Sequence, residues 1–166
     1  MSMYRGYLAD SGSIALASTS AVPLLYLAPT ATNDANVCKI KLMIPGSSGA
    51  APTSNADVIA QLYKVTGTVG GDTSLTPAQL SGNALAANTV CAYASADTGL
   101  TGLTISGGPL WTSDAPETSG ASWSDDFENT GLEIALLPSA KYALYVTAAA
   151  GYGSDMNARL AVWFAE

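Results

Sequence analysis

The chain has no histidine. That removes Ser-His-Asp and Cys-His nucleophilic systems and most catalytic zinc sites. Cysteine occurs twice, at Cys38 and Cys91, with no C-x-x-C spacing, so no zinc or dithiol redox motif can be written. Each cysteine sits in an apolar neighbourhood, which leaves two buried thiols or one disulfide. Charge is also scarce. Charged residues make up 11% of the chain, against about 25% in an ordinary soluble domain. Six Lys and Arg face thirteen Asp and Glu, for a net charge of -7. The cations Arg5, Lys39, Lys41, Lys64, Lys141 and Arg159 form no run. This excludes the basic patch that non-specific nucleic-acid binding requires, and it disfavours anionic membrane surfaces. No uninterrupted apolar stretch is long enough for a membrane-spanning helix. The apolar run from Ile14 to Ala28 is broken by Ser18, Thr19, Ser20 and Pro23, and reads as strands rather than as a signal peptide.

What the sequence does have is small neutral residues and short β-like runs. The 166 residues are 48% hydrophobic, enough for one domain with a core, and no composition break divides them. Candidate strands are Tyr4 to Leu8, Ile14 to Leu16, Val22 to Leu27, Val37 to Ile44, Thr89 to Ala94 and Leu103 to Ile105. In the fourth, Cys38, Ile40, Leu42 and Ile44 share one face, with Lys39, Lys41 and Met43 on the other. Asp57 to Thr66 fits a helix face or a strand. Ser54 with Asp57 would cap the helix, but β-branched Val58, Ile59, Val65 and Thr66 favour the strand.

Thr76-Pro77-Ala78-Gln79 matches a capping box with Pro at the first helical position, predicting one short helical turn that Gly82 would stop. Near the end, Leu132 to Leu136 and Tyr142 to Val146 read as a hairpin through Pro138-Ser139. Met156 to Phe164 alternates and closes the chain. The sum predicts an all-β, antiparallel β-sandwich, jelly-roll-like, as a single domain over 1–166. A long ordered, irregular excursion is expected over about 106–130.

That excursion holds the only residues that suggest chemistry. Asp125, Asp126 and Glu128 beside Trp123 could be a glycosidase acid and base. As sequence neighbours they fit a solvated acidic loop better than the two walls of a cleft. Clustered carboxylates could also hold Ca²⁺, but no recognisable loop spacing supports it. Gly70-Gly71 and Gly107-Gly108 lack the context of a phosphate cradle and read as turns. Neither a catalytic residue, a metal ligand nor a cofactor site is assigned. Trp111, Trp123 and Phe127 could pack under the excursion, anchor an interface or stack on a sugar. Tyr145 and Trp163 lie on strand faces with few charges, beside Ala135, Ala143 and Ala161. These five aromatics, Trp111, Trp123, Phe127, Tyr145 and Trp163, are the candidate interface residues.

Ala60-Gln61-Leu62-Tyr63-Lys64-Val65-Thr66-Gly67, Gly70-Gly71, Leu75-Thr76-Pro77 and Leu80 make up one recognisable pattern. Gly131-Leu132-Glu133-Ile134, Leu137-Pro138, Tyr142 to Val146 and the terminal Val162-Trp163-Phe164-Ala165-Glu166 make up another. Together they resemble small tailed-bacteriophage virion proteins of the β-sandwich capsid decoration or cement type. The resemblance covers about two thirds of the chain and omits 106–130. It implies a non-enzymatic structural protein on the capsid exterior of a virion, made in the host cytoplasm. Its implied partners are the major capsid protein and copies of itself. A trimer is expected, because local three-fold axes are common on icosahedral shells. The alternative is a carbohydrate- or receptor-binding module of a tail or fibre. No cofactor, nucleic acid or membrane is implied.

Overall fold

The computed structural model describes residues 6–16, 20–45, 57–80, 86–116, 122–127, 132–148 and 156–166. Tyr4, Arg5, Ser54, Gly82, Glu128 and Gly131, used in the sequence reading, lie outside these. The described residues form fourteen strands in two antiparallel sheets and no helix.

The first sheet is built on β1 (Gly6–Asp10), β4 (Ala35–Met43), β11 (Ser122–Asp126) and β14 (Met156–Ala165), in the order β11-β4-β14-β1. Three short strands extend it: β2 (Ile14–Leu16) on β14, β12 (Ile134–Leu136) on β4 and β7 (Ala78–Gln79) on β1. The second sheet is built on β3 (Val22–Ala28), β5 (Asp57–Gly70), β10 (Trp111–Pro116) and β13 (Lys141–Thr147), in the order β10-β5-β13-β3. It continues through β8 (Val90–Ala94) to β6 (Asp72–Leu75), and β9 (Thr101–Ile105) lies along the far half of β5.

Within this order the pairs β1·β14, β3·β13, β4·β11 and β5·β10 are nested. Folding one long antiparallel ribbon over on itself produces that nesting, and it is the jelly-roll arrangement. β6 to β9 are an insertion between the fourth and fifth strands of the roll.

Alternation explains the core. In β14, Ala158, Leu160, Val162 and Phe164 are buried, and they pair with Ile14, Leu42, Ile40, Val37, Ala9 and Tyr7 on neighbouring strands. Paired residues in antiparallel strands share a face, so these rows form one wall. Leu144, Leu62, Leu25 and Leu27 form the opposite wall, each with no exposed surface.

Four expectations are corrected. The Thr76–Gln79 box is not helical: Ala78 and Gln79 pair with Leu8 and Tyr7, and Leu80 N–H reaches Gly6 C=O at 2.9 Å. A capping box has value only if a helix follows, and here an edge of β1 competed for the same backbone groups. The excursion at 106–130 is not one irregular loop, since it supplies β10 and β11. Cys38 does not share the inner face of β4. The register slips between Trp163 and Phe164, which pair with Lys39 and Val37, so Cys38 is the extra residue of a bulge and Val37 takes the inner position.

Lastly, 132–146 is not a hairpin. Its turn exists, with Ala140 N–H donating to Leu137 C=O at 3.2 Å. Yet β12 pairs with β4 in one sheet and β13 with β3 and β5 in the other, so the turn is a corner between sheets. Leu132, at the start of the first expected arm, is 72% exposed.

The corner has a consequence for Tyr145. Ala143 and Tyr145 lie on the face of β13 opposite Leu144, yet both are buried. Tyr63 of β5 meets Tyr145 edge-on, with ring centroids 5.5 Å apart. Beside them the 95–100 loop folds over Pro23, the register partner of Tyr145: Leu100 is buried and its N–H donates to Pro23 C=O at 2.8 Å. β5 bends at Gly67, whose φ of 102° is open to glycine alone, and a side chain there would strike the Gly102 carbonyl. Val69, past the bend, and Leu103, the register partner of Gly67, pack on the core. The chain itself covers the second face of β13.

Candidate interaction surface

The two sheets meet along one side of the roll, where β10 and β11 are their edge strands. Trp111 pairs with Leu62 and Trp123 with Leu42, so both indoles start from inward-facing rows. Asp125 pairs with Ile40 and shares the inward face of β11 with Trp123. One Asp125 oxygen accepts from Trp111 Nε1 at 2.7 Å and the other from Trp123 Nε1 at 3.1 Å. Trp111 is buried by this arrangement, while Trp123, at the rim, is 46% exposed. The result is an exposed indole held by a carboxylate that is itself fixed from the opposite sheet. Phe127 is half-buried against the core, and its N–H donates to Cys38 C=O at 2.8 Å.

Asp126 takes the other face. It pairs with Lys39 in register and lies 4.0 Å from its ammonium group. Asp125 and Asp126 therefore point to opposite sides of β11, and the acid–base pairing on one substrate considered above does not form between them.

The outer face of the first sheet collects cations. Leu8, Trp163 and Lys39 form one cross-strand row, Asp10, Ala161 and Lys41 the next, and Arg159 and Met43 a third. Lys39 Nζ sits 5.6 Å from the Trp163 ring centre. Arg159 forks onto Asp10, with Nε 2.9 and 3.1 Å from the two carboxylate oxygens. That guanidinium, aided by the Gly12 N–H, holds the Asp10 carboxyl below its ordinary range against the opposing effect of burial. Asp10 also borders an open cleft of about 790 Å³ at one end of the roll, beside Ser13, Leu75, Tyr93 and Asp97.

At the chain's last residue, Glu166 accepts from Asn88 N–H at 2.8 Å and Thr89 N–H at 2.6 Å, tying β14 to the start of β8 across the sandwich. Cys38 and Cys91 are not bonded to each other. Burial first, and Glu166 second, push the Cys91 thiol up to about 12. Among the described residues no three His, Cys, Asp or Glu gather into a metal-binding group.

The chain matches no family model, no curated protein and no solved structure. The surface is therefore read from its own chemistry. Of the five candidate interface aromatics, Trp123 is exposed and Trp163 is partly exposed under Lys39. Trp111 and Tyr145 are buried within the chain. Sequence reasoning missed Asp125 as the link between sheets and the gathering of Lys39, Lys41 and Arg159 on one face. The two-residue spacing of Trp123 and Asp125 was a signal for the first. The second depends on β4 and β14 being neighbours, which no local pattern encodes.

Proposed function

We propose that this chain is a non-enzymatic structural protein of a phage virion. It decorates or cements the capsid exterior through contacts with the major capsid protein and with copies of itself. The observation that supports this best is the Trp123 rim. An exposed indole fixed by hydrogen bonding loses little freedom on association, and tryptophans in that situation are the usual anchors of protein contacts. The sparse charge of the chain points the same way, since a neutral surface is weakly solvated and tends to associate. The test is reconstitution: purified chain is added to virions stripped of their accessory proteins and sedimented. The reading requires co-sedimentation at a fixed ratio to the major capsid protein, and a chain that stays in the supernatant refutes it.

Exposure of Trp123 also favours a second reading, a carbohydrate- or receptor-binding module of a tail or fibre, because an aromatic face can stack on an apolar sugar face. Glycan-array binding that disappears in Trp123→Ala would select this reading over the first.

A further inference from the structure

The cleft beside Asp10 lies on the side of the sandwich away from the Trp123 rim. β1 and β2 of the first sheet form one wall, and β6 and β8 of the second form the other. Its floor comes from core rows: Tyr93 pairs with Leu25, Leu75 with Cys91 and Ile14 with Ala158. Ile14 is buried, but Leu75 and Tyr93 are only half-buried, so apolar surface of the inner faces is open to the cleft.

Both walls are fixed by the chain itself. On the first, Gly12 turns the backbone with a φ of 67°, and its N–H donates to Asp10 at 2.9 Å. The Ser11 hydroxyl donates to Gly12 C=O at 2.8 Å and accepts from Leu160 N–H at 2.9 Å. On the second, Ser95 donates to Gly71 C=O from its N–H at 3.1 Å and from its hydroxyl at 3.0 Å. Gly99 N–H closes the following turn on Ala96 C=O at 3.1 Å. A volume of about 790 Å³ falls within the roughly 300 to 1,000 Å³ of small-molecule sites, which are mostly pre-formed and apolar with a few polar groups.

The polar groups at the mouth select the ligand. No Lys or Arg lines the cleft, and the chain carries a net charge of -7, so an anion is disfavoured. A cation gains little, because Arg159 already compensates Asp10. That leaves Asp97 as the one uncompensated carboxylate of the lining among the described residues. A wholly apolar ligand would strip water from Asp97 and Ser13, both exposed, and return no hydrogen bond. A neutral ligand with one apolar face and several hydroxyl groups satisfies the floor and the mouth together.

We infer that this cleft binds a neutral sugar unit of an oligosaccharide. The Tyr93 ring meets the apolar face of the sugar, Asp97 accepts from its hydroxyl groups, and Ser13 supplies a hydroxyl from the opposite wall. The site goes beyond the proposed capsid contacts and does not rest on them. It is also distinct from the Trp123 rim, so a chain anchored by that rim keeps the cleft open.

The experiment applies the purified full chain to an array of neutral, sialylated and sulfated oligosaccharides and remeasures the hits by titration calorimetry. Two variants accompany it. Asp97→Asn removes the carboxylate, and Ser13→Trp fills the cleft from its exposed wall. Both positions are at the surface, and circular dichroism checks that each variant folds. The wild type is expected to bind neutral glycans. Asp97→Asn should weaken that binding about tenfold or more, the effect of losing a hydrogen bond to a charged group, and Ser13→Trp should abolish it. A wild-type chain that binds no glycan on the array overturns the site, as does one that binds only sialylated or sulfated glycans. Neutral-glycan binding that survives both cleft variants and disappears in Trp123→Ala places the sugar at the rim and likewise overturns it. None of these results touches the capsid reading, which co-sedimentation with stripped virions tests separately.

Discussion

Trp111 in one sheet donates its indole N–H to the carboxylate of Asp125 in the other, at 2.7 Å. The inner faces of a sandwich are normally joined by apolar packing alone. Here the open side is closed by a charge-assisted hydrogen bond, and the same carboxylate orients Trp123. Hydrogen bonds to charged groups contribute about 1.5 to 3 kcal/mol when partly buried. Asp125→Ala should therefore lower unfolding free energy by about 2 kcal/mol in denaturant titrations. Trp111→Phe, which keeps the ring and loses the donor, should fall in the same range. A loss below about 0.5 kcal/mol in both would show that packing alone closes the seam.

The Asp10–Arg159 pair sets an acid limit. Its folded-state carboxyl titrates below its ordinary value of 3.8, chiefly through the Arg159 hydrogen bonds. The unfolded chain therefore binds the proton first as pH falls. The stabilisation from this pair is complete above the unfolded value and disappears as pH drops through the lowered folded one. Because the pair is largely exposed, its contribution is small. Wild type and Arg159→Gln should differ in melting temperature at pH 6 and converge in strongly acidic solution. Parallel curves over the whole range would show that the pair is not linked to folding.

Thiol reactivity should separate the two cysteines. Cys91 is buried and its pKa is raised to about 12, so its thiolate is scarce at neutral pH. Cys38 lies half-buried at the bulge. A chromogenic disulfide reagent at pH 8 should titrate Cys38 alone in the native protein and both thiols in guanidinium. Two equally fast thiols in the native protein would contradict the burial of Cys91.

Glu166 ties the end of β14 to the start of β8 through two backbone donors. Glu166→Ala leaves both N–H groups without that acceptor and should cost about 1 to 3 kcal/mol. Amide exchange at Asn88 and Thr89 should accelerate, while exchange within β4 should change less. Unchanged protection at both amides would remove this tie.

The bend in β5 gives a backbone test. Gly67 has a φ of 102°, and an added side chain would meet the Gly102 carbonyl. Gly67→Ala should destabilise by about 1 to 3 kcal/mol and raise the accessibility of Tyr145, which tyrosine absorbance can follow. Burial, and secondarily Tyr63, holds the Tyr145 hydroxyl above its ordinary value. In the variant it should titrate at lower pH than in the wild type. Full stability and an unchanged tyrosine titration would show that the bend is not strained by a side chain.

Local pattern was enough to place most strands. Ile14–Leu16 and the alternation of Met156–Ala165 are legible because strand side chains alternate faces with period two, whatever lies alongside. The scarcity of charge and the lack of histidine were equally fixed by composition. Pairing was not legible. Leu132 to Val146 looks like a hairpin because the turn and both strands have the right residues, yet whether its arms stay together depends on what β4, β3 and β5 offer them. Thr76 to Gln79 carries a helix-start signal that lost to an open strand edge contributed by residues about seventy positions earlier in the chain. The candidate surface has the same origin. Trp111, Trp123 and Asp125 are separate residues until two sheet edges meet, and Lys39, Lys41 and Arg159 become one face only because β4 and β14 are neighbours. Sequence determines what each strand can bury, through interactions a few residues long. The choice of neighbours is made by the whole core at once, because each strand has several partners of similar local merit and only one arrangement closes both sheets.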